Sequence, residues 1–555
     1  MYRFAHALVR SALYDELPTS RRLRLHRDVG LELEREGDDS SRINELARHF
    51  TEAAALGEID KAVRYCRKAG EAANDDLAFE EAAAHFEHAL ESLALQSPVD
   101  ERVRAHLLFA AGNALHQISD PRGRELLGAA EESARSLDDM PLLAQVLIGT
   151  SADVMTRNAA EVDERIAGLY EQVLARSDEI PADLRAQTMA AYSRELFWGP
   201  NLERRRQLCE DALDIARATG DVRVLAEVLH SVNLMIDLTE PSGFDQLLAY
   251  STEMVEVAAG VDDSLVCTAL TSRFVVNMCR GFVDLGDRDL VQAELLAERL
   301  RIPQHIARTK LHRSAMALLA GQLDDCELLL ADYEGFCARE QVGGSAAGAG
   351  GVRYRLQYER GDLDGLEDFL GLLIEAQPLV PVWRMALCGV YLQSDRLELC
   401  RPHVEAIGAD DFAIVPRNQA FLITCSSAAR FAAEVGVLDV AEAAYSHASP
   451  FDGVFPYSGA AFEYPVGVGV GAAAAALGWY DLAEQHYANA FALCERAGAP
   501  TYLTATQVHW AEMLLSRDAP GDAQRAHGLA ASARETARRL GLAYMLRRTD
   551  RVLAS

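Results

Sequence analysis

Gly478-Trp479-Tyr480-Asp481-Leu482-Ala483-Glu484-Gln485-His486-Tyr487-Ala488-Asn489-Ala490 is the stretch that decides the fold. A Gly is followed five residues later by an Ala, then by His486 and Tyr487 at +3 and +4 from that Ala, and by a second Ala at +7. Positions 0, +3, +4 and +7 share one face of a helix with 3.6 residues per turn, so the segment presents a single stripe. Two small Ala sites let a neighbouring helix approach closely, and the aromatic ring fills the gap between them. The Gly suits the left-handed residue that ends the preceding helix, where a Cβ would be strained.

The spacing recurs. Gly57, Ala62, Tyr65 with Cys66, and Ala69 carry it near the start, and Gly436, Ala441, Tyr445 and Ala448 near the end. Ala82, His85 with Phe86, and Ala89 repeat its helical part, as do Ala523, His527 and Ala530. Each unit reads as helix, Gly turn, helix. The arrangement resembles the tetratricopeptide repeat, whose turn Gly and second-helix Ala, aromatic and Ala sit at these offsets. The expected fold class is all-α, a right-handed α-solenoid of tetratricopeptide-like helical hairpins.

Composition agrees. The 555 residues are too many for one globular core, yet no Pro/Ser-rich linker divides them. Hydrophobic residues make up 50% and aromatics 7%, so the apolar content is mostly Ala and Leu, which suits closely packed helices and excludes disorder. Lys+Arg 54 against Asp+Glu 84 gives a formal net charge of −30. A phosphate-tracking surface needs a basic stripe, so direct nucleic-acid binding is not expected. Only Lys61, Lys68 and Lys310 are lysines, which reads as a composition bias toward Arg. The ten cysteines include no C-x-x-C pair, which points to reduced, buried, inert thiols and no structural metal. No apolar run reaches the roughly 18 residues that span a bilayer, and the N-terminus has no apolar signal core, so a cytoplasmic protein without membrane contact is expected.

Four stretches follow along the chain. Residues 1–40 read as an N-terminal helical module, with helices expected over Tyr2–Glu16 and Ser20–Glu36 about the break Leu17-Pro18-Thr19. Residues 41–450 read as a divergent tetratricopeptide-like array, 451–465 as an irregular aromatic loop, and 466–555 as C-terminal tetratricopeptide-like hairpins. Pro98, Pro141, Pro181, Pro303, Pro381, Pro416 and Pro500 are expected to open helix pairs. Gly220, Gly260, Gly286, Gly321, Gly361, Gly436, Gly478, Gly498 and Gly541 are expected to close helices. These breakers predict about twelve hairpins of roughly 40 residues, longer than a regular unit. Gly343 to Gly351 reads as a flexible loop: it has glycines enough to cradle a phosphate, but no strand precedes it and no Lys-Ser/Thr follows. The segment from Phe451 to Pro465 carries Phe451, Phe455, Tyr457, Phe462 and Tyr464 and is expected to pack into the core, with a ligand cap as the alternative. Gly467-Val468-Gly469-Val470-Gly471 runs into an Ala-rich helix and lacks the correctly spaced third Gly of a dinucleotide turn and the acidic residue after a second strand, so close helix packing is expected there.

Catalytic signatures are missing. No Gly precedes any of the three lysines, which excludes a P-loop, and there is no H-E-x-x-H, G-x-S-x-G or EF-hand loop. His85 and His88 stand three apart on a helix, but the repeat pattern already accounts for them. No catalysis and no cofactor are expected. What remains is Arg beside aromatic rings on first helices of hairpins: Arg194 with Trp198, Arg273 with Phe274, Arg353 and Arg355 with Tyr354 and Tyr358, and Arg384 with Trp383. Such mixtures make interface hot spots and hold carboxylates or phosphates, so these residues are the candidate ligand-binding set, against the alternative of solvated arginines paired with the abundant carboxylates.

The opening Tyr2-Arg3-Phe4-Ala5-His6-Ala7-Leu8-Val9-Arg10-Ser11-Ala12-Leu13-Tyr14-Asp15-Glu16-Leu17-Pro18, followed by Arg21-Arg22-Leu23-Arg24-Leu25-His26, resembles the segment after the NTPase module in large bacterial STAND-type ATP-binding regulators. Those regulators carry a LuxR-type DNA-binding end or a class III nucleotide-cyclase domain. Tyr502-Leu503-Thr504-Ala505-Thr506 and Gly521-Asp522-Ala523 are similar to the end of their tetratricopeptide-like sensor. The resemblance implies that residues 1–40 are a winged-helix remnant. It implies too that the chain is a sensor and regulatory arm lacking the nucleotide-binding residues and the LuxR-type helix-turn-helix. Its partner would be a protein, such as an NTPase or cyclase module, or a small inducer, with self-association also compatible. The rival expectation is a stand-alone adaptor that scaffolds protein complexes; a helical enzyme with an unrecognised site is a third.

Overall fold

The stripe that opened the sequence forms as expected in the helix Tyr480–Ala497, where Ala483, Tyr487 and Ala490 are buried on one face. Gly478, at φ 79°, turns the chain out of the preceding helix Val466–Ala476. Gly471 of that helix lies so near Tyr487 that a Cβ would stand 3.0 Å from its ring, the small-against-aromatic fit that the spacing implies. The N-terminal copy repeats it. Ala62, Tyr65 and Ala69 are buried on the helix Ile59–Asp75, and Tyr65 stacks on Phe50 of Ile43–Ala53 with ring centroids 5.3 Å apart.

The structure is a computed structural model describing residues 14, 16–37, 42–118, 120–151, 162–199, 201–235, 239–377 and 380–555. Among these are 27 α-helices and no strand, only an isolated bridge between Tyr457 and Phe462. The fold is an all-α array of tetratricopeptide-like hairpins, each helix packing chiefly on the next in sequence. The expected helix over residues 2–16 falls almost wholly outside the described residues, while the second, expected from Ser20, runs Thr19–Glu36.

Two compact units divide the chain: Met1–Ala152 with Gly168–Thr188, and Asp153–Ala167 with Met189–Ser555. In the first, Thr19–Glu36 lies on Ile43–Ala53, where His26 and His49 meet at 3.1 Å between their Nδ1 atoms. Its core runs on through Ala82, Phe86 and Ala89 to Leu107 and Leu115. In the second, the main core extends from Phe244 to Met545.

Within the second unit the segment 451–465 is a packed bolt through the core. Phe455, Ala461 and Phe462 are buried, Phe455 N donates to the Cys279 carbonyl at 2.8 Å, and the Tyr502 hydroxyl donates to the Phe462 carbonyl. The Tyr457 hydroxyl meets His312 Nδ1 at 3.2 Å. Gly469 lets the helix Val466–Ala476 cross Gln419–Val435 at backbone contact, since a Cβ there would stand 2.1 Å from the Ser426 carbonyl oxygen.

Two expectations are corrected. The stretch Gly343 to Gly351 is not a loop: only its start turns the chain, and from Ser345 it is the first half of the helix Ser345–Arg360. Two of its glycines sit where neighbours come too close for a side chain, with Gly351 facing Ala460 and Gly348 facing Leu311, each at under 3 Å from a built Cβ. Nor does Gly286 close a helix. It is buried inside Val283–Leu300 against Met278, and the turn before it is made by Gly281 at φ 75°. All ten cysteines are buried and free.

Candidate functional site

The helix Ser345–Arg360 has two unlike faces, and both carry residues of the candidate set. Ala346, Ala349, Gly350, Arg353, Tyr354 and Gln357 follow one stripe at helical spacing. Opposite them stand Tyr333 and Cys337 of Leu323–Glu340 and, from Leu366–Ala376, Leu366 and Phe369. Together they enclose an open groove of about 500 Å³. Small side chains at 346, 349 and 350 keep it wide, and Phe369, 39% exposed, forms part of its wall. Arg353 lies on the rim, where its Nη2 donates to both Glu334 carboxylate oxygens at 2.5 and 2.6 Å. Asp364 also lines the groove.

The other face holds a buried charge knot. Arg355, 3% exposed, donates to Glu359 one turn on and, at 3.1 Å, to Glu463 of the bolt segment. Its guanidinium lies 4.0 Å from the Tyr464 ring centroid and 5.1 Å from those of Tyr358 and Tyr502. The Tyr464 hydroxyl donates to Glu359 at 3.4 Å. Arg430, also buried, makes no ion pair among the described residues and lies over the rings of Phe431 and Tyr464. Burial pushes the Glu359 and Glu463 carboxyls up, with Arg355 opposing that shift. A cavity of about 20 Å³ beside the knot has room for roughly one water, so no ligand of any size enters. Arg548 repeats the pattern, with Glu512, with Glu434 at 3.4 Å and with His509 at 3.1 Å.

The remaining candidates are placed apart. Arg273 closes on Asp289 of the next helix, its Nε donating at 3.0 and 3.1 Å, while Asn277 donates to the same carboxylate. Arg194 is half-buried near His230, which burial, with Arg194 and Arg308 adding to it, pushes down to about 3. Trp198 sets its ring edge-on to Phe197 at 5.0 Å. Trp383 donates from Nε1 to Gln377 at 3.0 Å, and Arg384 is half-buried close to His403 and Cys388. Tyr358 is buried, and its hydroxyl has no hydrogen-bond partner among the described residues. Of the candidate set, the groove thus takes only Arg353 and Tyr354.

No protein-family model matches the chain, and no curated protein matches it in sequence. Solved structures do. The Cut9–Hcn1 hetero-tetramer of APC/C aligns at 14% identity and a TM-score of 0.43, covering 87% of this chain and 81% of that one. Yeast Tom70 aligns at 13% identity and 0.30, covering 97% and 96%. A circular tandem repeat protein with novel repeat topology aligns at 14% and 0.17, covering 97% and 95%. At these values the fold rests on the hairpins themselves.

Among the described residues, no group of three His, Cys, Asp or Glu side chains is placed to hold a metal ion, and no helix is long and apolar enough to cross a membrane. Sequence reasoning missed Tyr333, Ala346, Ala349 and Phe369. The signal available was the run of small residues at helical spacing from Ala346, hidden by its glycines.

Proposed function

We propose that this chain is a non-catalytic helical-repeat protein that binds a segment of a partner protein in the groove between Leu323–Glu340, Ser345–Arg360 and Leu366–Ala376. The observation that carries the reading is the groove itself: open, about 500 Å³, floored by Ala and Gly and walled by Tyr333 and Phe369. A concave apolar site with a few charged groups at its edge suits an anchoring side chain of a partner, and its volume also suits a small inducer.

The finer reading is a regulatory arm. Occupying the groove would favour one arrangement of neighbouring hairpins over another, and the bias would reach an NTPase, cyclase or transcriptional regulator docked on residues 1–40. A stand-alone adaptor would use the same groove without such a partner.

Affinity capture from extract of the source cell tests this with the full chain, the variant Ala346→Trp and a chain lacking residues 1–36. Partners held by the full chain and lost with Ala346→Trp are expected. An NTPase or cyclase also lost with the deletion supports the regulatory arm. Partners that survive the deletion but not the filled groove support the adaptor, and a set indifferent to Ala346→Trp rejects the groove.

A further inference from the structure

The charges around the groove are not evenly paired. At one end Glu334 and Arg353 satisfy each other. At the other, Asp364 lines the groove within the stretch Gly361-Asp362-Leu363-Asp364-Gly365-Leu366-Glu367-Asp368-Phe369, which also carries Asp362, Glu367 and Asp368. Glu367 is held by Arg396 at 2.6 Å. Arg360, the nearest cation in sequence, is spent on Asp324 and Glu327, both at 2.7 Å. Asp362, Asp364 and Asp368 are exposed and make no ion pair or side-chain hydrogen bond among the described residues. One end of the apolar groove therefore carries an uncompensated carboxylate, Asp364, with Asp362 and Asp368 exposed within four residues of it along the chain.

Resting on the reading of the groove as a docking site, we propose that its occupant is a basic segment of another protein. An aromatic or branched aliphatic side chain enters between Tyr333, Ala349 and Phe369, and a Lys or Arg beside it meets Asp364. An apolar anchor that excludes water from the mouth strengthens the ion pairs formed there. A segment with Asp or Glu in that place meets like charge and is rejected. The net charge of −30 adds long-range attraction for the same partner.

That net charge would also draw in any cationic peptide, so the test must separate the groove from the general field. The probes are fluorescein-labelled synthetic nonapeptides: a Leu-Phe-Leu anchor flanked by lysines, the same anchor flanked by glutamates, and the lysine peptide with Ser-Ser-Ser as its centre. Binding to the full chain is followed by fluorescence anisotropy at fixed salt. The lysine-flanked anchor is expected to bind at least tenfold more tightly than either control. Ala346→Trp, which fills the groove, and Phe369→Ser, which removes its wall, should each weaken it about tenfold. The change Asp364→Asn should weaken it while leaving the serine control unchanged. Thermal unfolding confirms that each variant is folded.

Equal binding of the Leu-Phe-Leu and serine peptides, with no effect of Ala346→Trp or Phe369→Ser, would mean field attraction only and would overturn the proposal together with the groove reading. Preference for the glutamate-flanked anchor, still blocked by Ala346→Trp, would overturn the basic partner and keep the groove.

Discussion

Arg353 and Arg355 are two residues apart on one helix and live in different solvents. A step of two residues turns about 200° around a helix, so they point to opposite faces. Arg353, on the groove rim, pairs with Glu334 in water. Arg355, in the knot, is shared by the buried Glu359 and the half-buried Glu463 and stacked among three tyrosine rings. The same residue type thus serves a surface that can exchange partners on one side and a fixed interior junction on the other. Proximity of Arg to Tyr in sequence marks both and distinguishes neither.

The largest expected effect breaks or upholds that contrast directly. Arg355→Ala leaves the buried Glu359, and the half-buried Glu463 beside it, without their cation and should cost about 3–5 kcal/mol of stability in urea unfolding. Arg353→Ala removes an exposed pair and should change it by under about 0.5 kcal/mol. Similar losses for the two would mean that the two faces do not differ as described.

Glycine substitutions sharpen it further. Gly469→Ala, beside the knot, drives a Cβ into the Ser426 carbonyl oxygen and should cost about 1–3 kcal/mol by thermal unfolding. Gly350→Ala, in the groove, meets only the Phe369 ring edge at 3.2 Å. That ring stands at the surface and can give way, so better helix propensity should win by up to about 0.5–1 kcal/mol. A loss at Gly350 equal to that at Gly469 would show the groove wall to be as rigid as the knot.

The smallest effect is in the pH dependence. Because burial raises the Glu463 carboxyl, the folded chain holds that proton more tightly than the unfolded one. The stability this proton contributes is complete below the ordinary carboxyl range and is lost as pH rises through the raised value. Acidification from pH 7 to 4.5 should therefore stabilise the native protein relative to Glu463→Gln, by on the order of 1 kcal/mol or less. A relative loss on acidification would place Glu463 in a more polar setting than the knot provides.

Both regions were only partly legible beforehand. Ala483, Tyr487 and Ala490 betray their packing because a helix stripe is a local, periodic signal, and the turn at Gly478 is local as well. The helix Ser345–Arg360 was obscured by its own glycines, whose low helix propensity reads as a loop. The reason for glycine there lies far along the chain, in Ala460 pressing on Gly351. In sequence, Arg355 beside Tyr358 reads as a ligand-binding candidate, but the setting of both depends on Glu463, Tyr464 and Tyr502, which no spacing near residue 355 announces.

From the sequence alone came the helical period, the hairpin unit, the all-α class and the acidic balance, since each depends on residues within a few turns of one another or on composition. Only the tertiary structure decided which arginines face water, where small residues leave a groove, and which carboxylates stay unpaired. The groove depends on how three successive helices pack, and the knot on contacts between segments a hundred or more residues apart, since burial of a charge is set by everything that surrounds it, not by its neighbours in the chain.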